Sequence, residues 1–279
     1  MNPTRNAFTG LFWQPDANPV NPTTPLARLD QPVYAVTAAQ GVQLKVGGQL
    51  TAGPEGLAVL GAVGALTPDV LGEPGFRQTY GTRYALYAGA MANAIASEEL
   101  VIAMGKAGML ASFGAGGCSP ERIEQAILKV KAALPDGPYA FNLLNSPNEP
   151  AIEQRTAELY LKHGIRVVEA SAYLALTPAL VQYRAAGLSR AADGQVSIAN
   201  RVIAKVSRKE TARRFLEPAP QELLEKLGAE GKISAEQAEL ARLVPMADDI
   251  TVEADSGGHT DNRPLVGALP AILGLRDEV

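Results

Sequence analysis

From Tyr84 onward the chain alternates short apolar runs with amphipathic stretches at helical spacing, the pattern of successive βαβ units. The runs YALYAGAM (84–91), MLASFGAGG (109–117), YAFNLLN (139–145), RVVEASA (166–172), NRVIAKVS (200–207) and DDITVEADSGGH (248–259) read as six buried parallel strands. Helix signals fall between them. Ser97 is placed to cap a helix ending near Lys106, with Glu98 and Glu99 in the first turn, where the helix dipole favours acids. Ser119-Pro120-Glu121 starts a second helix running to about Leu134, because Ser caps and Pro fits the first turn. A third runs from about Glu149 to Lys162 and stops at His163-Gly164; shorter ones are expected over 178–186 and 265–278.

Two regions break this rhythm. Between the fifth and sixth strands, residues 208–247 form a polar, helical excursion with a capping-box pattern at Ser234–Gln237, which predicts an inserted helical lid overhanging the mouth formed by the strand ends. Before the alternation begins, the segment up to Ala27 is rich in Pro and Asn without periodicity and reads as an extended arm, with Trp13 as its anchor. VYAV and VQLKV around AAQG then predict a β-hairpin over 32–46. The expected organisation is an N-terminal arm and hairpin appendage (1–80) and a β/α portion (81–279) containing the insert (208–247). Six parallel strands suit an open doubly wound sheet or part of an eight-stranded barrel equally well by pattern, so the motifs must decide.

Composition narrows the function classes. With 47% hydrophobic and 19% charged residues the chain is ordinary globular material. A net charge of −4 and the lack of a Lys/Arg block argue against a nucleic-acid surface. The longest apolar stretch, Gly56 to Leu66, is about half of what spans a bilayer, so no membrane partner is expected. The N-terminal stretch lacks an apolar signal-peptide core, and Cys118 is the only cysteine; both point to a cytoplasmic location.

In parallel sheets functional groups gather where the strands end. Here those ends carry Gly89-Ala90-Met91, Gly114 to Gly117, Asn142 to Asn145, Lys205, and the segment Glu253 to His259. A strand running into Ser256-Gly257-Gly258-His259 lets the backbone approach a ligand while presenting one imidazole, bracketed by Asp255 and Asp261; the plainer reading is a tight turn with a solvated histidine. Asn142, inside an apolar strand, needs a partner for its amide: a neighbouring strand, or a planar heterocycle. Lys205 either reaches solvent or places a positive charge near a flavin or phosphate. His163, at a helix C-terminus, and Cys118, without a visible base, read as structural. No metal site is expected.

Together, YAGAMANAIASEELVIAMGKAGMLASFGAGG, FNLLNSP and VEADSGGHTDNRPL resemble the trans-acting enoyl reductases of polyunsaturated-fatty-acid and polyketide synthases, relatives of nitronate monooxygenases and flavin enoyl reductases. The likeness runs from about Ala7 to Val279, and Ser-Gly-Gly-His-Thr-Asp is its most specific part. It implies an α/β fold, an FMN-binding TIM (β/α) barrel of which about six of eight β/α units are present, with NADPH as reductant. The substrate it implies is an enoyl thioester on an acyl carrier protein, presented by a polyketide or fatty acid synthase. By the same likeness Gly89, Ala90 and Met91 lie against the flavin, Asn142 bonds its ring, Ser256 to Gly258 approach it, and His259 is the active-site histidine. Two further strands, whose glycine-rich loops hold the FMN phosphate, are expected from a C-terminal half or a second chain. The alternatives are a nitronate monooxygenase-type flavin oxidase and a truncated, non-catalytic barrel serving as a synthase partner.

Overall fold

The strand and helix signals become two separate bodies. The computed structural model describes residues 8–16, 28–254 and 264–279, and the chain divides into two compact units, Met1–Phe76 and Arg77–Val279.

Among the described residues of the first unit, β1 (Phe12–Gln14), β2 (Val33–Ala38), β3 (Gly41–Val46), β4 (Gln49–Thr51) and β5 (Leu57–Val63) form one antiparallel sheet in the order β3-β2-β5-β1-β4. The predicted hairpin is β2–β3. The expected arm is corrected: its residues 12–14 are a strand paired on both sides, with β4 and β5. Backbone pairing with distant strands holds this segment, which is why no local periodicity announced it. Trp13 is buried with Tyr34, Val36 and Val59, and its indole N–H donates to the Gly47 carbonyl at 2.7 Å. Gly48 fits beneath that ring because it lacks a side chain: a Cβ there would lie 2.3 Å from the indole nitrogen.

The second unit opens on the end of α1 (Pro74–Tyr80) and continues β6 (Tyr87–Ala88), α2 (Glu98–Lys106), β7 (Leu110–Phe113), α3 (Pro120–Ala133), β8 (Ala140–Leu144), α4 (Pro150–His163), β9 (Val167–Ser171) and α5 (Pro178–Ala186). After a hairpin of β10 (Leu188–Arg190) and β11 (Val196–Ile198) come β12 (Arg201–Val206), α6 (Lys209–Leu216), α7 (Gln221–Ala229), α8 (Ala235–Leu240), β13 (Asp249–Val252) and α9 (Leu265–Arg276). The helix starts follow the caps: Ser97 accepts from Leu100 N, Ser119 from Arg122 N, and Ser234 with Gln237 closes a capping box. Gly164, in the left-handed region at φ 64°, ends α4.

Among the described residues, β6-β7-β8-β9-β12-β13 form one parallel sheet in that order. Alternate residues face opposite ways. Phe113, Phe141, Leu143, Val168, Ala170, Val202 and Ala204 join the apolar core. Their neighbours Tyr87, Ser112, Asn142, Glu169, Ser171, Lys205 and Glu253 fall on the other face by the period of two.

That second face is concave. In a flat sheet, strands three places apart are separated by roughly 14 Å, beyond ordinary contact of two side chains, yet Tyr87 on β6 donates to Glu169 on β9. Five places along, Tyr80 just before β6 reaches Asp249 on β13 at 2.6 Å. The sheet is therefore curled like a barrel wall, its polar side inward.

The insert divides: α6 follows the end of β12, with Arg208 and Thr211 beside Lys205, whereas the rest does not sit where expected. Rather than overhanging the strand ends, α7 packs on α5, and α8 packs on α5 and β10. The β10–β11 hairpin leads into β12, so this contact lies toward the end from which the strands start. Leu224, Leu227 and Leu240 are fully buried there, and burying them decides the placement. No helix among the described residues is long and apolar enough to cross a membrane.

Candidate active site at the strand ends

The concave face carries a carboxylate that composition and periodicity did not single out. Glu169 has no exposed surface. Its Oε2 accepts from the Tyr87 hydroxyl and from Ala90 N at 2.9 Å. Its Oε1 is buried without a hydrogen bond and lies 3.8 Å from Lys205 Nζ. Lys205 Nζ is in turn 3.4 Å from Glu253 Oε1, so one ammonium stands between two carboxylates from flanking strands.

Burial raises the Glu169 carboxyl above its usual range, against the opposing pull of Tyr87, the Ala90 amide and Lys205. The same burial, together with the carboxylate, pushes the Tyr87 phenol well above the usual range, so Tyr87 is a hydrogen-bond donor throughout neutral pH. Asn142 Nδ2 donates to the Glu169 carbonyl at 3.0 Å and to Ser171 Oγ at 2.8 Å. Its own carbonyl accepts from the Tyr160 hydroxyl at 2.6 Å. The amide nitrogen thus serves the neighbouring strand, the first of its two readings.

The rim loop after β6 is built from small residues and docks on the glycines after β7. Ala94 N donates to Gly114 O at 2.9 Å and Asn93 N to Gly116 O at 2.7 Å. A Cβ on Gly114 would stand 1.7 Å from the Met91 carbonyl oxygen. That glycine makes room for the loop. Asn93 and Ala94 both take φ 56°, a left-handed turn that throws the loop across the strand end. Gly89 and Met91 are exposed on the rim, and a Cβ on Gly89 would come 3.3 Å from Glu169 Oε2.

The structure thus gathers Gly89, Ala90, Asn142 and Lys205 around Glu169, a residue sequence reasoning missed along with Tyr87. The available signal was an acid inside the apolar run VVEAS. Ser256, Gly257, Gly258 and His259 lie outside the described residues. A cavity of about 170 Å³ beside Lys205 and Glu253 is lined by Tyr173, Ser207, Arg208 and Thr211. His163 Nε2 pairs with Glu124 Oε1 at 2.6 Å between α4 and α3, away from the concave face. The Cys118 thiol, raised by burial, leans on the Gly114 carbonyl at 3.7 Å.

No family model matches the chain. It is 52% identical over 256 residues to one component of the polyunsaturated fatty acid synthase of Thraustochytrium sp., covering 92% of this chain and 17% of that protein. To a second component of the polyunsaturated fatty acid synthase of the same organism it is 59% identical over 209 residues, covering 75% and 10%. To the polyketide biosynthesis protein PksE of Bacillus subtilis it is 46% identical over 215 residues, covering 77% and 28%. Among solved structures, the enoyl reductase domain of MlnA from the macrolactin biosynthesis cluster of Bacillus amyloliquefaciens matches with a TM-score of 0.72 and 41% identity, over 75% of this chain and 47% of that one. The chain spans about half of that solved chain and less than a third of each of these curated relatives. Over most of its own length the chain is thus similar to parts of polyunsaturated fatty acid synthase and polyketide biosynthesis proteins, and it shares residues and fold with a solved enoyl reductase domain.

Proposed function

We propose that this chain carries the first six β/α units of an FMN-dependent enoyl reductase. Its substrate is the α,β-double bond of an enoyl thioester held on an acyl carrier protein, and it works in trans with a polyketide or polyunsaturated fatty acid synthase. The observation that carries the reading is the concave cluster of Lys205, Glu169 and Asn142 under a rim of small residues, in a sheet similar to a solved enoyl reductase domain.

The residues present fit a flavin. Gly89 and Ala90 leave the rim open to a flat ring, Lys205 offers a cation for its electron-rich edge, and the buried Glu169 Oε1 is a polar atom without a hydrogen bond. Bound there, FMN supplies the two-electron relay between NADPH and the enoyl β-carbon.

The chain's own residues do the rest. Asn142 spends its nitrogen on β9 and keeps its Oδ1 as an acceptor. Lys205, fixed by two carboxylates, holds positive charge at one point of the concave face. By the family likeness, Ser256, Gly257 and Gly258 belong to the cofactor site, and His259 orients the substrate or protonates its α-carbon. The net reaction adds a hydride equivalent at the β-carbon and a proton at the α-carbon, and NADPH becomes NADP⁺. The remaining two β/α units come from a further segment of the protein or from a second chain.

The test is direct. Purified protein with the rest of its barrel should be yellow and oxidise NADPH when given a crotonyl-type thioester, and His259→Ala should abolish turnover while retaining the colour. Colourless protein that leaves NADPH untouched overturns the proposal.

A further inference from the structure

A buried carboxylate in a sheet interior is expensive, costing several kcal/mol unless its charge is matched and its oxygens are bonded. Nothing in the packing of β9 asks for one at position 169. The registered neighbours are Asn142 on β8 and Ile203 on β12, and an apolar side chain would pack against Ile203 at lower cost. The carboxylate instead connects elements far apart in sequence. Through Oε2 it receives the Tyr87 hydroxyl from β6 and the Ala90 amide from the rim loop; through Oε1 it faces Lys205 on β12, which also meets Glu253 beyond β13.

We infer that Glu169 is a positioning residue of this site, one oxygen fixing the Gly89–Met91 rim and the other holding the Lys205 ammonium and moderating its charge. The second half rests on the flavin reading; the first does not. Gly89 supports the first half, since a side chain there would press on Glu169 Oε2 at 3.3 Å, so the loop can close on the carboxylate only with a small residue. Lys205 supports the second. Between two carboxylates it neither extends to solvent as a lysine at a strand end ordinarily does, nor acts as an uncompensated cation.

The two halves separate in two variants. Glu169→Gln keeps a carbonyl oxygen able to accept from Tyr87 and Ala90 but loses the charge facing Lys205. Glu169→Ala loses both. Hydrogen exchange of the full chain without added flavin, read on peptides covering residues 88–92, should show protection retained in Glu169→Gln and lost in Glu169→Ala. The ratio of affinities for reduced and oxidised FMN, measured at pH 8.5, should rise on the order of tenfold in Glu169→Gln. That is the order of effect expected on the reduced, anionic form from removing one negative charge at the proposed flavin site at intermediate dielectric.

Unchanged exchange in both variants overturns the positioning of the rim. An unchanged affinity ratio overturns the role on Lys205. If the wild-type protein with its complete barrel binds no FMN, the proposed function falls and the Lys205 half with it, while the exchange result still decides the rim. Should Glu169→Ala fail to fold, loss of protection in Glu169→Gln would contradict the acceptor geometry and retention would support it.

Discussion

The Tyr80 hydroxyl donates a 2.6 Å hydrogen bond to Asp249 Oδ2, joining the last residue of α1 to the first residue of β13. One contact therefore spans the ends of the six-strand order and holds the curl that makes one face concave. Tyr80→Phe keeps the ring and leaves the carboxylate without this donor, a loss expected to cost about 1–3 kcal/mol. Urea unfolding should show a lower midpoint with an unchanged m-value. An unaltered midpoint would mean that the sheet curls without this tie.

Two glycines on the same rim should respond differently to alanine. At Gly114 a Cβ would meet the Met91 carbonyl at 1.7 Å, an overlap that a backbone atom cannot relieve without moving the loop. Gly114→Ala should lose about 3 kcal/mol or more, or fail to accumulate in the soluble fraction. At Gly89 the nearest atom is Glu169 Oε2 at 3.3 Å, the end of a side chain. Gly89→Ala should cost under about 1 kcal/mol in stability and, on the proposed flavin reading, should register instead as weaker FMN binding, measured by fluorescence titration. Equal stability losses at both sites would contradict the packing described for the loop.

Ala172 follows β9 with φ 63°, a left-handed conformation that costs a non-glycine residue about 1–2 kcal/mol. Asn145 holds the turn by donating to the Ala172 carbonyl at 3.2 Å. Ala172→Gly relieves the strain but adds freedom to the unfolded chain, for a net gain of about 0.5 kcal/mol. Ala172→Val should lose more than that gain. Thermal melts of the pair should therefore move in opposite directions.

Helix α7 offers a test of where that part of the insert packs. Leu224 on α7 is fully buried in the same core as α5. Leu224→Ala should cost about 2–5 kcal/mol, while turnover per folded molecule should be unaffected, because α7 faces the outer wall and not the strand ends. A lid would give the reverse pattern, near-normal stability with altered kinetics.

What the sequence made legible follows from how local each signal is. Ser97, Ser119, Ser234 and Gly164 mark helix ends through bonds made within a few residues, so their roles can be read from neighbours alone. Asn142 stood out because an amide in an apolar run demands a partner, and the partner was on the next strand. Glu169 sits in an equally apolar run, but its three partners come from β6, the rim loop and β12. Only the curl of the sheet brings them together. The same holds for β1, whose strand character exists through pairing with β4 and β5. The insert misled for a related reason: its amphipathic pattern shows that Leu224 and Leu240 need an apolar wall, without showing which wall.

The titration of Glu169 gives a prediction with a definite sign. Burial raises its carboxyl above the ordinary value of 4.5, and Glu253 adds to the effect; the Tyr87 hydroxyl, the Ala90 amide and Lys205 oppose it without cancelling it. A group held more tightly protonated in the fold than in the unfolded chain gives stability that is fully present below its unfolded value. That stability is lost as the pH rises through the folded value. Glu169→Gln cannot titrate, so its stability relative to wild type should improve as the pH climbs from about 4.5 through the raised folded value, then level off. Urea unfolding of both proteins between about pH 4.5 and 8 measures the difference directly. A constant difference would mean that the carboxyl titrates alike in both states. A difference moving in favour of wild type would mean that Lys205 and the two hydrogen bonds outweigh burial, and that the ionised form is the one the fold prefers.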